Sequence, residues 1–411
     1  MDSVEKNVIR RRRQLLKRRG YNVSFSRYPK DYILSVSALI QPVLVLIQLL
    51  MIDALRVDYD TANKLRILAT AVPVLVSMVI IVQREFDLTV LTYAIVLTIL
   101  AYTILRFPGR LAFMRDDVIK FTLTVVIPIG LAIASIRNFA VFMRCVVFVS
   151  IAAVAIGFVY AMLYLMGTFI IETYSMTFSY ALLFPTFVLL TKKKWIWKAL
   201  ALVMMLEMLA IGSRGAFLMS VLYIVLLFVM NNRSHLSLII IVSLILALIG
   251  FLFFDSIVNL VITIFGKLGI HSRTLDMITD NELLTHDSGR SDIWRNAWEL
   301  FLQRPLFGSG VWADREAFDI FCHNVFLELL IDFGFVGTII ILVYLFFKQL
   351  NIYLKIPKSH KPLYIMFFFP CISLLVSGSY LTSFNVGLFL GFSYLLSILH
   401  DKRKYQKYRY R

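Results

Sequence analysis

The sequence predicts an all-α, polytopic integral membrane protein with about 12 transmembrane helices and one large extracytoplasmic loop that contains amphipathic helices. Of its 411 residues, 60% are hydrophobic and 16% are charged, whereas soluble domains are about 45–50% apolar and about 25% charged. The mean hydropathy is +0.81, and a globule of this size does not bury so much apolar surface, so lipid has to cover part of it. With 18 Gly, 10 Pro and 3 Cys, the composition excludes collagen, a disordered chain and a disulfide-stapled secreted scaffold.

Apolar stretches long enough to cross about 30 Å of hydrocarbon recur along the chain. If the basic N-terminus is cytoplasmic, the loops between them place 28 of the 42 Lys and Arg residues inside and 14 outside. This excess satisfies the positive-inside rule and predicts that both termini are cytoplasmic. The stretches lie near 33–52, 65–82, 86–105, 118–136, 145–167, 174–191, 195–211, 214–230, 236–254, 323–347, 363–379 and 383–399.

The net charge of +17 has two interpretations, nucleic-acid binding and membrane topology. The basic clusters are divided among short loops and tails with no folded domain behind them, which argues against nucleic-acid recognition. Attraction to anionic lipid explains the same clusters. We therefore expect a multi-pass protein of the cytoplasmic membrane that contacts the lipid bilayer and no nucleic acid.

The spacing of the spans divides the chain into five regions. One of them stands out, because about 68 residues separate the ninth span from the tenth. The predicted regions are a basic cytoplasmic N-terminal segment at 1–32, transmembrane helices 1–9 at 33–254, the large extracytoplasmic loop at 255–322, transmembrane helices 10–12 at 323–400 and a basic cytoplasmic tail at 401–411.

Two segments of the large loop have apolar residues at helical spacing and predict amphipathic helices. The first, near 257–268, is expected to lie on the membrane surface. The second begins with Ser291 as its N-cap and ends near Arg304, because Pro305 disfavours helix at the residue before it. A turn at 307–310 then redirects the chain. The apolar face of the second helix comprises Ile293, Trp294, Ala297, Trp298, Phe301 and Leu302.

Trp294 and Trp298 allow two compatible interpretations. Both are typical of an aromatic belt at the membrane interface, and their helix is also placed to frame a site. On the second interpretation, Trp294 is a candidate substrate-binding residue.

No P-loop, HExxH zinc motif or CxxC pair occurs in the chain. Asp58 and Asp60 resemble the acidic pair that holds a metal in nucleotide-sugar glycosyltransferases, but the topology places them outside, so we interpret them as an ordinary acidic loop. Gly387 and Gly391 form a GxxxG pattern that predicts close helix packing. Neither feature supplies a reaction.

Three outward positions carry polar groups that need an explanation. Arg214 lies in a tight turn at the membrane edge, where an arginine is costly unless something satisfies it, and Glu207 is a candidate partner. Arg290 precedes the second amphipathic helix, and His323 with Asn324 opens the tenth span. Each alone is also compatible with a structural role: a snorkelling arginine, a solvated arginine and a histidine at a helix start.

Glu328 and Asp332 follow, one helical turn apart in the tenth span. They are placed either to orient His323 or pair with Arg214, or to serve as packing-stabilised polar groups. These alternatives remain open at this point.

Three motifs, taken in order, resemble the C-terminal signature of the bacterial O-antigen ligase and polymerase superfamily. The resemblance covers roughly 205–345, and the order of the motifs across a large external loop carries it. The motifs are GSRGAF at 212–217, SGRSDIWRNAWELFLQRPLFGSGV at 288–311 and HNVFLELLIDFGFVG at 323–337.

The resemblance implies a metal-independent, inverting glycosyltransferase that uses undecaprenyl-pyrophosphate-linked oligosaccharides as donor and acceptor at the outer face of the membrane. Members polymerise repeat units of O-antigen, capsule or exopolysaccharide, or ligate finished glycans to lipid or protein. By similarity, Arg214 and Arg290 are the family arginines, and His323 is the histidine that activates the acceptor. Asn324 lies beside it. The resemblance leaves open whether a chain-length regulator is a further partner.

The chemistry of these residue types agrees with the implied roles. Histidine is suited to remove the proton of a sugar hydroxyl near neutral pH, and guanidinium groups stabilise the charge of a departing pyrophosphate. With two arginines, neither a divalent cation nor another cofactor is required. We therefore predict that His323, Arg214 and Arg290 are catalytic, and that Asn324, Trp294, Glu207 and Glu328 bind substrate.

Two alternatives to a polymerase are kept. One is ligase-type transfer of a finished glycan to lipid or protein. The other is a transporter or flippase for lipid-linked sugar, a class in which paired interrupted spans and ionisable groups near the midplane are typical. Here the distinctive polar residues concentrate in one external loop and its borders, which favours an enzyme.

Overall fold

The structure is a computed structural model that describes residues 27–111, 121–169, 171, 175–211, 213–231, 263 and 290–400. Every regular element within these residues is a helix, so the all-α fold class is confirmed for this part of the chain. A π-helical turn extends α2, another precedes α5, and a 3₁₀ segment continues α13. The helices are α1 (Pro29–Leu39), α2 (Gln41–Leu49), α3 (Tyr59–Arg84), α4 (Phe86–Arg106), α5 (Ile127–Ala134), α6 (Phe139–Leu165), α7 (Ser175–Leu190), α8 (Trp195–Ala210), α9 (Arg214–Asn231), α10 (Arg290–Gln303), α11 (Ala313–Phe318), α12 (Val325–Lys355), α13 (Lys361–Phe368) and α14 (Phe384–His400).

Four of the described helices, α3, α4, α6 and α12, are long and apolar enough to cross a membrane. The pair α1 and α2 bends by 46° and makes a fifth crossing if it is one span. Shorter apolar helices lie where the sequence predicts the fourth, sixth, eighth, eleventh and twelfth spans. The larger predicted number of spans, the topology and the five-region division stay predictions.

Helix starts follow from local side-chain chemistry. Asp58 accepts the backbone N–H of Thr61 at 2.9 Å and so caps α3. Asn138 caps α6 in the same way through two backbone N–H groups. The carboxylate of Asp58 therefore serves α3, which agrees with its interpretation as part of an ordinary acidic turn.

Among the described residues, the largest hydrophobic core is formed mainly by α1, α2, α5, α6, α7, α8, α13 and α14. Three aromatic rings from different helices stack there, with centroids 3.9 Å apart for Phe367 and Phe392 and 5.8 Å apart for Phe142 and Phe367. In contrast, α3 and α4 expose large apolar side chains such as Leu75 and Leu105. In a membrane protein these exposed faces contact lipid.

Helices α5 and α14 cross in close contact because glycines leave room for it. A Cβ on Gly387 would overlap the carbonyl oxygen of Val126, and a Cβ on Gly391 would overlap that of Gly130. Small residues at such spacing let helix backbones approach closely in membranes. The predicted packing role of the GxxxG pattern is confirmed.

A break interrupts α12 at Gly334, where φ is 66° and ψ is −175°. The turn at 305–310 is hydrogen bonded to both sides of this break, so the backbone groups that the break frees are satisfied. Such satisfaction is what an interrupted helix needs away from water. The four bonds run from Phe335 N to Pro305 O (2.7 Å), Val336 N to Leu306 O (3.1 Å), Ser309 N to Ile331 O (2.7 Å) and Gly310 N to Asp332 O (2.9 Å).

The second amphipathic helix is present as α10 and ends at Gln303, as the proline following Arg304 predicts. The prediction that Ser291 caps it is wrong, because the helix begins at Arg290 and Ser291 is already helical, whereas an N-cap residue has non-helical backbone angles. The predicted helix near 257–268 lies outside the described residues, except for Thr263.

Candidate active site

Arg290 opens α10 and contacts α7. Its Nη2 lies 3.8 Å from the Sδ of Met176. One helical turn later on the same face of α10, Trp294 donates its indole N–H to the carbonyl oxygen of Cys322 at 3.0 Å. The helix that carries Arg290 is therefore bonded directly to the residue before His323.

His323 lies in the short connection between α11 and α12, and its φ of 55° is left-handed. A residue with a Cβ keeps this conformation only where its surroundings impose it, at a cost of about 1–3 kcal/mol. Its ring contacts that of Phe321, with centroids 4.2 Å apart. Its Nδ1 is buried and has no hydrogen-bond partner among the described residues, so the described protein groups leave this nitrogen unsatisfied, a rare state that calls for an explanation.

The positive charge of Arg290 affects the pKa of His323. Burial, and secondly the positive charge of Arg290, lower the pKa of His323 below its ordinary value. The imidazole is therefore neutral at neutral pH, which is the form that a general base requires. The structure thus brings together two of the three predicted catalytic residues.

Arg214 is the first residue of α9, and its side chain lies outside the described part of the chain. The backbone next to it is described: a Cβ on Gly215 would lie 2.8 Å from the hydroxyl of Tyr180 in α7. Met176, which Arg290 contacts, precedes Tyr180 by four residues, or about 6 Å along the same helix. The first turns of α9 and α10 therefore approach the same end of α7.

Glu207 is buried in α8, and its Oε2 has no hydrogen-bond partner among the described residues. A buried carboxylate oxygen needs a partner, because its desolvation is costly. The pairing with Arg214 stays a prediction, since it depends on a side chain outside the described part.

Asn324 has a clear local function as the N-cap of α12. Its side-chain oxygen accepts the backbone N–H groups of Phe326 at 3.0 Å and Leu327 at 3.3 Å. The cap fixes the start of α12 directly after His323. Because the side-chain oxygen is engaged in the cap, a substrate contact by Asn324 would use its amide NH₂ group. Such a contact stays a prediction.

Glu328 is enclosed by protein groups, and the prediction that it binds substrate stays a prediction. Its Oε1 accepts from Nη1 of Arg315 at 3.2 Å and from the hydroxyl of Ser379, and its Oε2 accepts from the backbone N–H of Tyr380 at 3.3 Å. Asp332, one turn later, accepts the Tyr380 hydroxyl at 2.6 Å. Of the alternatives, the described contacts favour packing-stabilised polar groups, because Glu328 is only 1% exposed.

The centre of this polar cluster is a pair of residues that sequence reasoning missed, Asp314 and Arg315. Both are buried, and the Arg315 guanidinium joins Asp314 at 3.1 Å to Glu328 at 3.2 Å. Asp314 Oδ2 also accepts from the backbone N–H of Cys322 at 3.2 Å and from its thiol at 3.4 Å. The signal was a dense run of charge at 314–319 close before His323, but such a run usually indicates a solvated loop.

The thiol of Cys322 is next to His323 but is not suited to be a nucleophile. Burial, and secondly the negative charge of Asp314, raise its pKa well above the ordinary value. The protonated thiol donates to Asp314 and serves the structure of the loop.

Arg110, which sequence reasoning also did not single out, lies just after α4 and connects it to the segment at 309–316. Its guanidinium is bonded to Glu316 at 2.5 Å, to the carbonyl of Gly310 at 3.0 Å and to that of Ser309. It also lies 4.4 Å from the ring centroid of Phe107. The turn that fills the break in α12 is thus held from its other side as well.

These features define a membrane protein whose polar site is built where α10 and the segment around α11 meet the start of a broken helix. Residues 199–342 match a family model described as O-antigen ligase, and no curated protein matches the chain. The match places this segment, with Arg214, Arg290 and His323, in the O-antigen ligase and polymerase superfamily and confirms the resemblance. It indicates ligase- or polymerase-type glycan transfer, with lipid-linked glycans as substrates in a membrane.

Proposed function

We propose that the protein is a membrane glycosyltransferase that polymerises undecaprenyl-pyrophosphate-linked oligosaccharide repeat units into a surface polysaccharide such as capsule, exopolysaccharide or O-antigen. The observation that carries the proposal is that Arg290 begins the helix whose Trp294 is hydrogen bonded to the residue before His323, inside the segment that matches the family. A neutral imidazole and a guanidinium near it are suited to transfer from a pyrophosphate donor, because one takes a proton and the other stabilises the departing charge.

In the proposed reaction, His323 takes the proton of the acceptor hydroxyl while the oxygen attacks the anomeric carbon of the donor. The bond from that carbon to the pyrophosphate breaks, and the leaving group departs with the negative charge. Arg290 and Arg214 stabilise this charge through charge-assisted hydrogen bonds. Because the displacement is single, the anomeric configuration inverts, and the two guanidinium groups make a divalent cation unnecessary.

We place this site on the extracytoplasmic face of the cytoplasmic membrane, with both termini in the cytoplasm. The distribution of Lys and Arg supports this orientation. The polyprenyl tail keeps the pyrophosphate at the interface, where the helix starts that carry Arg290 and His323 are expected to lie.

A second candidate function is ligase-type transfer of a finished glycan to lipid or protein. The description of the matching family as O-antigen ligase favours it. The two functions share the chemistry and differ in the acceptor, so the accumulated intermediate separates them. Loss of a polymerase leaves single repeat units on the lipid carrier, whereas loss of a ligase leaves long polymer there.

The test is complementation of a strain that lacks the protein. His323→Ala, Arg290→Ala and Arg214→Ala are each expected to abolish long-chain polysaccharide at normal protein level in the membrane. Arg295→Ala is the matched control for Arg290, since Arg295 lies on the same helix in a solvent-exposed pair with Asp292. Its polysaccharide is expected to be normal.

Two outcomes would overturn the proposal. Normal polymer from His323→Ala would remove the general base. Accumulation of single repeat units on the cytoplasmic leaflet would instead support a flippase, because a polymerase defect leaves them on the outer leaflet.

A further inference from the structure

Cys322, the residue before His323, is held from two sides. The carbonyl oxygen of Cys322 accepts the indole N–H of Trp294 at 3.0 Å. The backbone N–H and the thiol of Cys322 both donate to Oδ2 of Asp314, at 3.2 and 3.4 Å. Rotation of the peptide between Cys322 and His323 would break the part-buried bond from Trp294, which is costly, so the left-handed backbone of His323 is maintained.

The imidazole ring is supported by a second line of contacts. Phe321 lies between His323, with ring centroids 4.2 Å apart, and Arg315, whose guanidinium carbon is 5.5 Å from the Phe321 centroid. Both the backbone and the ring of His323 are therefore connected to the pair Asp314 and Arg315.

This pair is itself anchored to two other parts of the chain. Oδ1 of Asp314 accepts from the backbone N–H and from Nη1 of Arg315, at 2.9 and 3.1 Å. Arg315 then donates to Glu328 of α12 at 3.2 Å and to Ser379 at 2.9 Å. Because all of these groups are buried, their positions are set by hydrogen bonds that water does not replace.

We propose that Trp294 and Asp314, with Arg315 behind them, are positioning residues that hold His323 against Arg290. Trp294 acts from α10, the helix that begins at Arg290, so its hydrogen bond connects the helix that carries the guanidinium to the residue before the imidazole. This assignment rests on the proposed function, because it requires that His323 be the base. It also changes the predicted role of Trp294, whose N–H is engaged by protein and not left for a sugar.

The test compares Trp294→Phe with Trp298→Phe in the full-length protein in lipid nanodiscs. Trp294→Phe removes the indole N–H and keeps an aromatic ring, while Trp298 is 48% exposed one turn later on the same helix. The substrate is the lipid-linked oligosaccharide extracted from the strain that lacks the protein. Turnover by Trp294→Phe is expected to fall by about tenfold to hundredfold, the effect of misplacing a catalytic group, with KM for the donor unchanged. Trp298→Phe is expected to keep normal turnover.

A pH profile separates positioning from general loss of structure. A displaced imidazole loses the burial and the Arg290 charge that lower its pKa, so the acid limb of kcat/KM in Trp294→Phe is expected at higher pH than in the parent. Equal turnover and equal acid limbs in the two Trp variants would overturn the inference. Asp314→Asn, which turns one acceptor oxygen toward Cys322 into a donor, is the second variant if Trp294→Phe does not fold, with the same expected results.

The His323→Ala variant distinguishes failure of the positioning role from failure of the proposed function. Full turnover by His323→Ala would overturn both. An inactive His323→Ala with a normal Trp294→Phe would overturn only the positioning role. If Trp294 acts through His323, adding Trp294→Phe to His323→Ala should not lower the residual turnover further.

Discussion

The crossing of α5 and α14 and the break in α12 both depend on glycine, but the glycines solve different problems. At the crossing, Gly387 and Gly391 provide room for a neighbouring backbone. At the break, Gly334 and Gly308 have φ values of 66° and 71°, and four backbone hydrogen bonds join the two segments. Van der Waals contact fixes a distance, whereas hydrogen bonds also fix a direction. The proposed site is connected to the second junction through Glu328, Asp332 and Arg315.

The comparison predicts that substitutions near the break reduce both stability and turnover, whereas substitutions at the crossing reduce stability alone. Buried polar groups that lose a partner have no substitute for it. Apolar helix contacts adjust by small shifts, and those shifts are expected to end before they reach the site.

The largest expected effect comes from removing the cation at the centre of the polar cluster. Arg315→Ala leaves Asp314 and Glu328 buried without their charge partner and is expected to cost about 3–5 kcal/mol of unfolding free energy. Unfolding by SDS in mixed micelles, followed by tryptophan fluorescence, measures it. Arg295→Ala breaks an exposed ion pair and should cost less than about 1 kcal/mol. Equal losses in the two variants would mean that the cluster is not a structural centre.

Gly334→Ala is expected to rank second. A Cβ at this position would overlap the backbone of Leu306, and φ of 66° is unfavourable for alanine. A loss of about 2–4 kcal/mol follows from overlap and strain together, and turnover per folded molecule should fall as well. Unchanged turnover in a folded Gly334→Ala protein would show that the break in α12 does not affect the site. That result would contradict the expectation that substitutions near the break lower both stability and turnover.

Gly391→Ala tests the crossing of α5 and α14, where a loss of stability without a loss of turnover is expected. Its Cβ would overlap the carbonyl oxygen of Gly130, and overpacking of this kind costs about 1–3 kcal/mol. The thermal unfolding midpoint in detergent is expected to drop, with turnover per folded molecule retained. A kcat defect as large as that of Gly334→Ala would show that the crossing also governs the site.

The smallest expected effect is on the pH dependence of kcat/KM. Because burial and Arg290 lower the pKa of His323, the neutral base persists to lower pH, and activity is lost only as pH falls through the lowered pKa. The acid limb of kcat/KM should therefore lie below about 6.5, the ordinary imidazole value. Residual activity of Arg290→Gln should show the limb at higher pH than Arg290→Lys, which keeps the charge. Coincident limbs would mean that Arg290 does not act on the imidazole.

Much of the site was predictable because its signals are local. The helical spacing of apolar residues located α10, and Pro305 predicted its end. Arg290 and His323 were identified by their place in motifs that resemble the superfamily signature, since each alone is also compatible with a structural role. The roles of Asp314 and Arg315 were not predictable, since their partners Glu328 and Ser379 lie 13 and 64 residues away from Arg315 and no periodicity connects them.

Composition and periodicity by themselves determined the helical class and the lipid-facing character of the surface, because hydrophobic burial and helical spacing act over neighbouring residues. The motifs that resemble the superfamily located the segments of the proposed site. The tertiary structure alone decided that the turn at 305–310 is hydrogen bonded across the break in α12, that Trp294 is bonded beside His323 and that Glu328 faces Arg315. Each of these depends on directional bonds between distant residues, whose partners are chosen only when the helices pack and exclude water.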